Sequence, residues 1–285
     1  MATEVKVKNI TEESKTQSGV NTIKKGVKRK IVYSQIVKII LSVLAPFVLV
    51  GAWQIGSNVG AINQSILPAP SSLVDTLKNL ISDGKLQDHL LVSLVRVLKG
   101  FSKGTISGIT VGSIMGLSKT MNRVLGSLIG ILRPIPMIAW IPLLILWMGI
   151  DESSKVTVIV IGSFWPILIN TIHGIQTVDN KLVEVATILE KSKWQVINKV
   201  IFPAALPSIF TGVRLGMGSA WTCVVAAEMI AASKGIGYMI TYARELSQPD
   251  VMLVGVFSIG IIGLLIDTVI IIVQNFVLRW SIDTK

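Results

Sequence analysis

Six times between residues 39 and 278 the sequence enters an apolar run, at 39–57, 100–117, 134–150, 156–173, 207–232 and 251–278. A helix crosses the roughly 30 Å hydrocarbon core of a bilayer with about 20 residues, within a range of about 17 to 25. Only helices and closed barrels satisfy every backbone polar group there, and runs of this length without strand alternation are helical. The pattern therefore predicts an all-α membrane protein of six transmembrane helices. Composition agrees, with 51% hydrophobic and 15% charged residues, where a soluble domain carries about 25% charged. A cytosolic enzyme is excluded on that balance.

Net charge is +11, and its placement sets the orientation. Residues 1–38 hold nine of the 27 lysines and arginines and read as a basic cytosolic tail, partly disordered, ahead of a membrane domain at 39–285. With six spans and the amino terminus inside, 19 basic residues fall on the cytosolic side and 8 outside; the reverse orientation inverts the bias. Both termini are thus expected in the cytosol. The basic stretch is too long for a cleavable signal peptide, and no A-x-A site follows it.

One cysteine, Cys223, rules out a disulfide framework and a four-cysteine metal site. The sequence has neither G-x-x-x-x-G-K-[ST] nor H-E-x-x-H, so no nucleotide, metal or other cofactor is expected on the chain itself.

Within the second span Gly100, Gly104, Gly108, Gly112 and Gly116 recur at four-residue steps. That step lines them along one stripe, where another helix can approach backbone to backbone. Gly212 and Gly216 repeat the device in the fifth span. Charges at bilayer depth face a bundle interior or a cavity and are usually paired; Arg214 and Asp267 are the expected intramembrane ion pair. Pro134, Pro136 and Pro142 interrupt the third span, and the carbonyls they free must be buried in protein or face a pore. That span is the gate candidate. Pro134, Pro136, Trp140, Trp221 and Glu228 are carried as pathway or gate residues, although membrane tryptophans are more often interface anchors and Glu228, near the outer face, can equally line the outer mouth or pack between helices.

Segment 174–206 is too polar to span and too patterned for a linker. Asp179 caps a helix with Leu182, Val183, Ala186 and Leu189 on one face. Ser192 and Gln195 form a capping box for a second helix, which Pro203 stops. Two short helices with apolar residues exposed imply a partner, the alternative being an interfacial helix pair resting on lipid. Elsewhere, residues 71–81 form an amphipathic helix lying on the outer membrane surface or on the bundle. Residues 234–250 form an outer loop or short re-entrant helix that could meet a substrate receptor.

The stretch Glu184-Val185-Ala186 … Ile201-Phe202-Pro203 resembles the E-A-A-x(3)-G-x(9)-I-x-L-P loop of the membrane subunits of binding-protein-dependent ABC importers. Leu67-Pro68-Ala69-Pro70-Ser71, the segments 93–101 and 133–143, Ala227-Glu228-Met229 and Asp267 are similar to one branch, the nitrate/sulfonate/taurine-type permeases. The resemblance covers about 60–280 and implies a type I, MetI-like bundle in the bacterial inner membrane. It also implies a homodimer, two ABC ATPase subunits that use ATP-Mg, and an extracytoplasmic substrate-binding protein. The solute class it implies is a small oxyanion or organic acid such as nitrate, a sulfonate, taurine or bicarbonate. Asp179, Glu184, Ala186, Glu190, Ser192 and Pro203 then belong to the loop that docks on the ATPase. Glu190 stands where that family favours glycine, and glutamate takes a left-handed turn less cheaply, so the bend between the two helices is expected to differ in detail. Phe202 replaces the usual leucine. Two other readings stay open at this point. An ion-coupled secondary transporter would need a midplane carboxylate and inverted repeats, and a sister ABC branch would carry a different small solute.

Overall fold

The computed structural model describes residues 44–280, all of whose regular elements are helical. The basic tail of 1–38, the first residues of the first span and the last five residues of the chain lie outside the described residues. Two compact units divide between Ser71 and Ser72.

The first unit contains helix α1 at 44–58. Its end is tied to the following turn by Gln54. The Gln54 Oε1 accepts from the Ser71 backbone N–H at 3.0 Å, and Nε2 donates to Asn58 Oδ1 at 2.9 Å.

The second unit is organised around the helix carrying the fourth apolar run, α6 (Glu152–Gln176). Against one side of it lies α3 (Lys85–Leu117), and against the other α9 (Phe202–Ala231). The glycine stripe explains the first contact. A Cβ built on Gly100 would meet Ile159, on Gly104 Ser163, on Gly108 Ile167, on Gly112 Thr171, and on Gly116 Ile175. The offset is constant, so the two helices run parallel with one glycine per turn of the partner. A methyl at Gly112 would lie 2.8 Å from Thr171 Cβ and 3.0 Å from the Leu168 carbonyl. The second contact repeats the device antiparallel. Gly162 faces Cys223, while Gly216 faces Ile167 and the Ser163 carbonyl at 3.0 Å. Pro166 sits inside α6 and cannot donate to the Gly162 carbonyl. Ser219 Oγ of α9 donates to that carbonyl instead, at 2.7 Å, which is how transmembrane prolines are tolerated.

Around this core lie α2 (Pro70–Ser82), α4 (Lys119–Leu132), α5 (Met137–Met148), α10 (Ile236–Glu245) and α11 (Pro249–Val277). Residues of α2 rest on the bundle, with Leu77 and Leu80 packed on Leu86, Ile236 and Met239 and Thr76 Oγ1 donating to Asp250 Oδ2 at 2.8 Å. Almost all of α11 is left open on its outer face, including Ile261, Leu264, Val269 and Phe276, as expected of a helix that borders lipid or a second subunit.

Span boundaries depart from the expectation in three places. Helix α3 begins at Lys85 and runs 33 residues, about 50 Å at 1.5 Å per residue, so its amino-terminal turns extend beyond the run at 100–117. The third run is not one straight helix with its lead-in. Helices α4 and α5 meet at a 95° bend across Arg133–Pro136, because Pro134 and Pro136 cannot donate to a continuing helix. The 12 residues of α5 reach about 18 Å. Finally, Pro203 stops nothing. Five residues of π-helix, Ile197–Ile201, precede it. The wider turn, with the Phe202 N–H donating to the Ile197 carbonyl, leads straight into α9. Among the described residues, three helices are long and apolar enough to cross a membrane, four if the bent pair counts as one.

Candidate functional site

The polar loop forms an elbow. Asp179 accepts from the Lys181 N–H at 2.9 Å and starts α7 (Asn180–Ile188). The exit of α7 is a Schellman motif: the Glu190 N–H donates to the Thr187 carbonyl at 2.9 Å and the Lys191 N–H to the Ala186 carbonyl at 3.1 Å. Glu190 itself has φ +52°. The left-handed turn that glutamate was expected to avoid is made, and the two bonds hold it against a strain of about 1 to 2 kcal/mol. Ser192 then caps α8 (Lys193–Val196) with a complete capping box, its Oγ accepting from the Gln195 N–H at 3.3 Å and its N–H donating to Gln195 Oε1 at 3.1 Å.

Between α7 and α8 lies a groove of about 350 Å³ whose apolar wall includes Leu182, Val185, Ala186, Leu189 and Val196 and whose polar wall is Lys191, Gln195 and Lys199. Ala186 is buried at its floor. On the same two helices Ile188 is 79% and Trp194 71% exposed. Glu184 is exposed on the same helix and forms no ion pair among the described residues. The elbow thus leaves a largely apolar groove, two large exposed apolar side chains and a carboxylate without an ion pair on its surface, an arrangement that is costly to leave wet. Pro203 is half-buried where the elbow enters α9.

At the other end of the same helices sits a buried ionic network. Arg96 Nε donates to Glu152 Oε2 at 2.7 Å and Nη2 to Glu152 Oε1 at 2.6 Å, while Nη1 donates to Glu228 Oε1 at 2.8 Å and to the Lys234 carbonyl at 2.5 Å. Glu228 also accepts from Ser93 Oγ at 2.8 Å and from the Gly237 N–H at 3.0 Å. Of the two readings of Glu228, outer mouth and helix packing, the geometry favours the second: its side chain is wholly enclosed, and it braces the α9–α10 connection against α3. Gly235, with φ +123°, lies so close that any Cβ would collide with the Glu228 carboxylate. Its N–H donates to His89 Nδ1 at 3.1 Å. Burial pushes the His89 imidazole below its ordinary pKa; the nearby Asp88 opposes that and Lys234 adds to it. Sequence reasoning singled out Glu228 but not Ser93, Arg96, Glu152 or His89 as its surroundings. The available signal was a serine and an arginine one turn apart in an otherwise apolar stretch.

The remaining candidates separate. Arg214 and Asp267 form a two-pronged pair between α9 and α11, Nε to Oδ1 at 2.7 Å and Nη2 to Oδ2 at 2.8 Å. Trp221 is not on a pathway surface: it is buried among Val97, Ile159 and Val224 and its Nε1 donates to the Ile259 carbonyl at 3.1 Å. Trp140 packs on the cluster of Ile141, Leu144, Val158 and Cys223, with its indole N–H unpartnered among the described residues. Pro134 and Pro136 sit at the 95° bend. Beside that bend a cavity of about 450 Å³ opens between α5, α6 and α9, lined by Arg133, Met137, Trp165, Asn170, Leu215 and Ser219 among others.

Long apolar helices packed through glycine, with a capped apolar elbow at one end, define the membrane-embedded subunit of a transport system. Residues 108–281 match the family described as "Binding-protein-dependent transport system inner membrane component". The chain is 41% identical over 237 residues to the putative aliphatic sulfonates transport permease protein SsuC of Bacillus subtilis, covering 83% of this chain and 86% of that one. To the nitrate import permease protein NrtB of Synechocystis it is 36% identical, covering 84% and 90%. Among solved structures, an inward-facing MetNI methionine ABC transporter superposes with a TM-score of 0.57 at 15% identity, covering 66% of this chain and 91% of that one, a likeness of fold. The chain belongs to the binding-protein-dependent ABC importer permeases, in their nitrate/sulfonate/taurine-type branch, and is a multi-pass protein of the cell membrane.

Proposed function

We propose that this permease works as a homodimer that forms the translocation pathway for a small oxyanion or organic acid of the sulfonate, taurine or nitrate kind. An extracytoplasmic binding protein delivers the solute. Two ABC ATPase subunits clasp the 177–201 elbows in the cytosol, where both termini also lie. No cofactor binds the chain; ATP-Mg is consumed by the partner. The observation that carries this reading is the elbow: two helices, each held by its own cap, enclose the Ala186 groove and leave Ile188 and Trp194 exposed. Because α8 continues through the π-turn into α9 without a break in helicity, a movement imposed on the elbow is transmitted to the helix that packs on α6. Closing of an ATPase dimer can in this way be turned into movement of spans.

Glu184→Lys combined with Ala186→Glu reverses the free charge and fills the groove floor with a carboxylate. The expected result is loss of the co-purifying ATPase while the permease itself still elutes as a folded, monodisperse protein. Retention of the ATPase by that double variant contradicts the coupling assignment.

A further inference from the structure

Six arginines fall among the described residues, and those held at depth are neutralised: Arg96 by Glu152 and Glu228, Arg214 by Asp267. Arg133 is different. It lines the cavity between α5, α6 and α9, no carboxylate shares that lining, and no ion pair reaches it among the described residues. The cavity borders Trp165 and Pro166, the fourteenth and fifteenth residues of the 25-residue α6, so it lies about halfway along the central helix. Arg133 is exposed on the open side of that wall, which it shares with Asn170 and Ser219. We propose that Arg133 gives this cavity its selectivity for small anions and that the cavity is a transient site for a monovalent oxyanion or alkanesulfonate crossing the subunit.

The chemistry of the wall fits that class. A guanidinium presents a fork of donors matched to oxyanion geometry. Asn170 uses one amide hydrogen on the Pro166 carbonyl at 2.8 Å and has a second to offer. The helix α5 begins at Met137 directly beside the cavity, so its positive dipole end lies next to the same wall, as at the broken helices of other transporters. Met137, Ile169 and Leu215 supply apolar surface for a short alkyl group. One cation without a closed cage holds an anion weakly, which a pathway requires, since binding must be strong enough to enter and weak enough to leave.

This inference rests on the permease reading, and its test is separable from it. Trp165 borders the cavity and reports on it. The full chain is placed in nanodiscs of uncharged phosphatidylcholine, and the Trp165 emission is taken as the difference between wild type and Trp165→Phe. Quenching by iodide is compared with quenching by caesium, each taken relative to its quenching of free N-acetyltryptophanamide and both at constant ionic strength. Iodide should exceed caesium by at least about threefold, short of the roughly tenfold or more reached by clefts lined with several like charges. Ethanesulfonate or nitrate should remove the excess, Arg133→Lys should keep most of it, and Arg133→Gln should abolish it. Asn170→Asp, which sets a carboxylate in the same wall, should also abolish it and serves if Arg133→Gln is not recovered folded. An iodide excess unchanged in Arg133→Gln, or in Asn170→Asp where that variant stands in, overturns the proposal. ATPase co-purification with the Glu184/Ala186 double variant reads the permease assignment independently. Loss of that assignment with the iodide excess intact leaves the anion site standing, and the reverse outcome removes the anion site alone.

Discussion

Replacing Gly104 by alanine adds one methyl group where α3 meets α6, and its cost can be worked from the contacts. The new Cβ would fall within the van der Waals envelope of Ser163 Oγ and 2.8 Å from the Val160 carbonyl oxygen. The hydroxyl can rotate away, but the carbonyl belongs to the backbone of α6. Relief therefore requires the helices to separate, and Gly100, Gly108, Gly112 and Gly116 hold them together on either side. Overpacking of this kind costs about 1 to 3 kcal/mol, and alanine returns about 1 kcal/mol of helix propensity. With a backbone atom as the obstacle, the upper part of the range applies, for a net loss of about 1 to 2 kcal/mol. At about 2 to 4 °C per kcal/mol for 150 to 250 residues, the melting temperature should fall by roughly 2 to 8 °C. Fluorescence-detected unfolding in detergent measures it. Gly108→Ala, whose Cβ would sit 3.0 Å from Ile167 side-chain atoms, should lose less. Gly130→Ala is the control: nothing lies within 4 Å of its Cβ position, so stability should hold or rise. Gly104→Ala with Ser163→Gly should recover only part of the loss, because Val160 remains. If Gly104→Ala melts with wild type, or Gly130→Ala proves the more damaging, close backbone approach is not what the stripe provides.

Other perturbations read other parts of the molecule. Glu190→Gly relieves the left-handed turn at φ +52° and should stabilise the elbow by about 1 kcal/mol, seen as slower proteolysis between α7 and α8 with ATPase association retained. Arg96→Leu leaves the Glu228 charge buried without its cation and should cost about 3 to 5 kcal/mol; the double variant Arg96→Leu with Glu228→Leu should be less damaging than Arg96→Leu alone in the same unfolding assay. The His89 imidazole accepts the Gly235 N–H and has its pKa lowered, so the unfolded chain binds the proton more readily than the folded one. Its contribution is present above the ordinary histidine value of about 6.5 and is lost as pH falls through and below it. His89→Gln should therefore lose less stability than wild type between pH 7.5 and 5.5, and an equal loss contradicts the sign. For Arg214 and Asp267, the exchange Arg214→Asp with Asp267→Arg should restore the folded yield that either single reversal reduces.

How far the sequence could be read depended on whether the signal was periodic and local. The glycine stripe declares itself because a four-residue step matches the helical repeat, and the partner residues 159, 163, 167, 171 and 175 follow that same step once the stripe is known. Both caps of the elbow were legible because Asp179 and the Ser192–Gln195 box act over two or three residues. Legibility failed where geometry overrides a local rule. Pro203 reads as a helix stop, yet the π-turn of Ile197–Ile201 absorbs it. Glu190 reads as a poor left-handed residue, yet the two Schellman hydrogen bonds hold it there. The third apolar run has the length of a span, and hydropathy carries no record of a 95° bend. The Arg96–Glu228 pair was invisible for another reason: its members lie 132 residues apart, and only the parallel and antiparallel packing around α6 brings them to one end of the bundle. Trp221 shows the limit for aromatics, since the same residue type serves interface, pathway and core.

The measurement nearest to the central claim is the sidedness of the elbow. Cys223, the sole native cysteine, is buried, so a thiol introduced by Lys193→Cys at the exposed start of α8 can be followed against low background. A membrane-impermeant maleimide should leave intact spheroplasts unlabelled and react after permeabilisation, and less so when the ATPase is bound. Labelling of intact spheroplasts would place the elbow outside the cell and contradict the account.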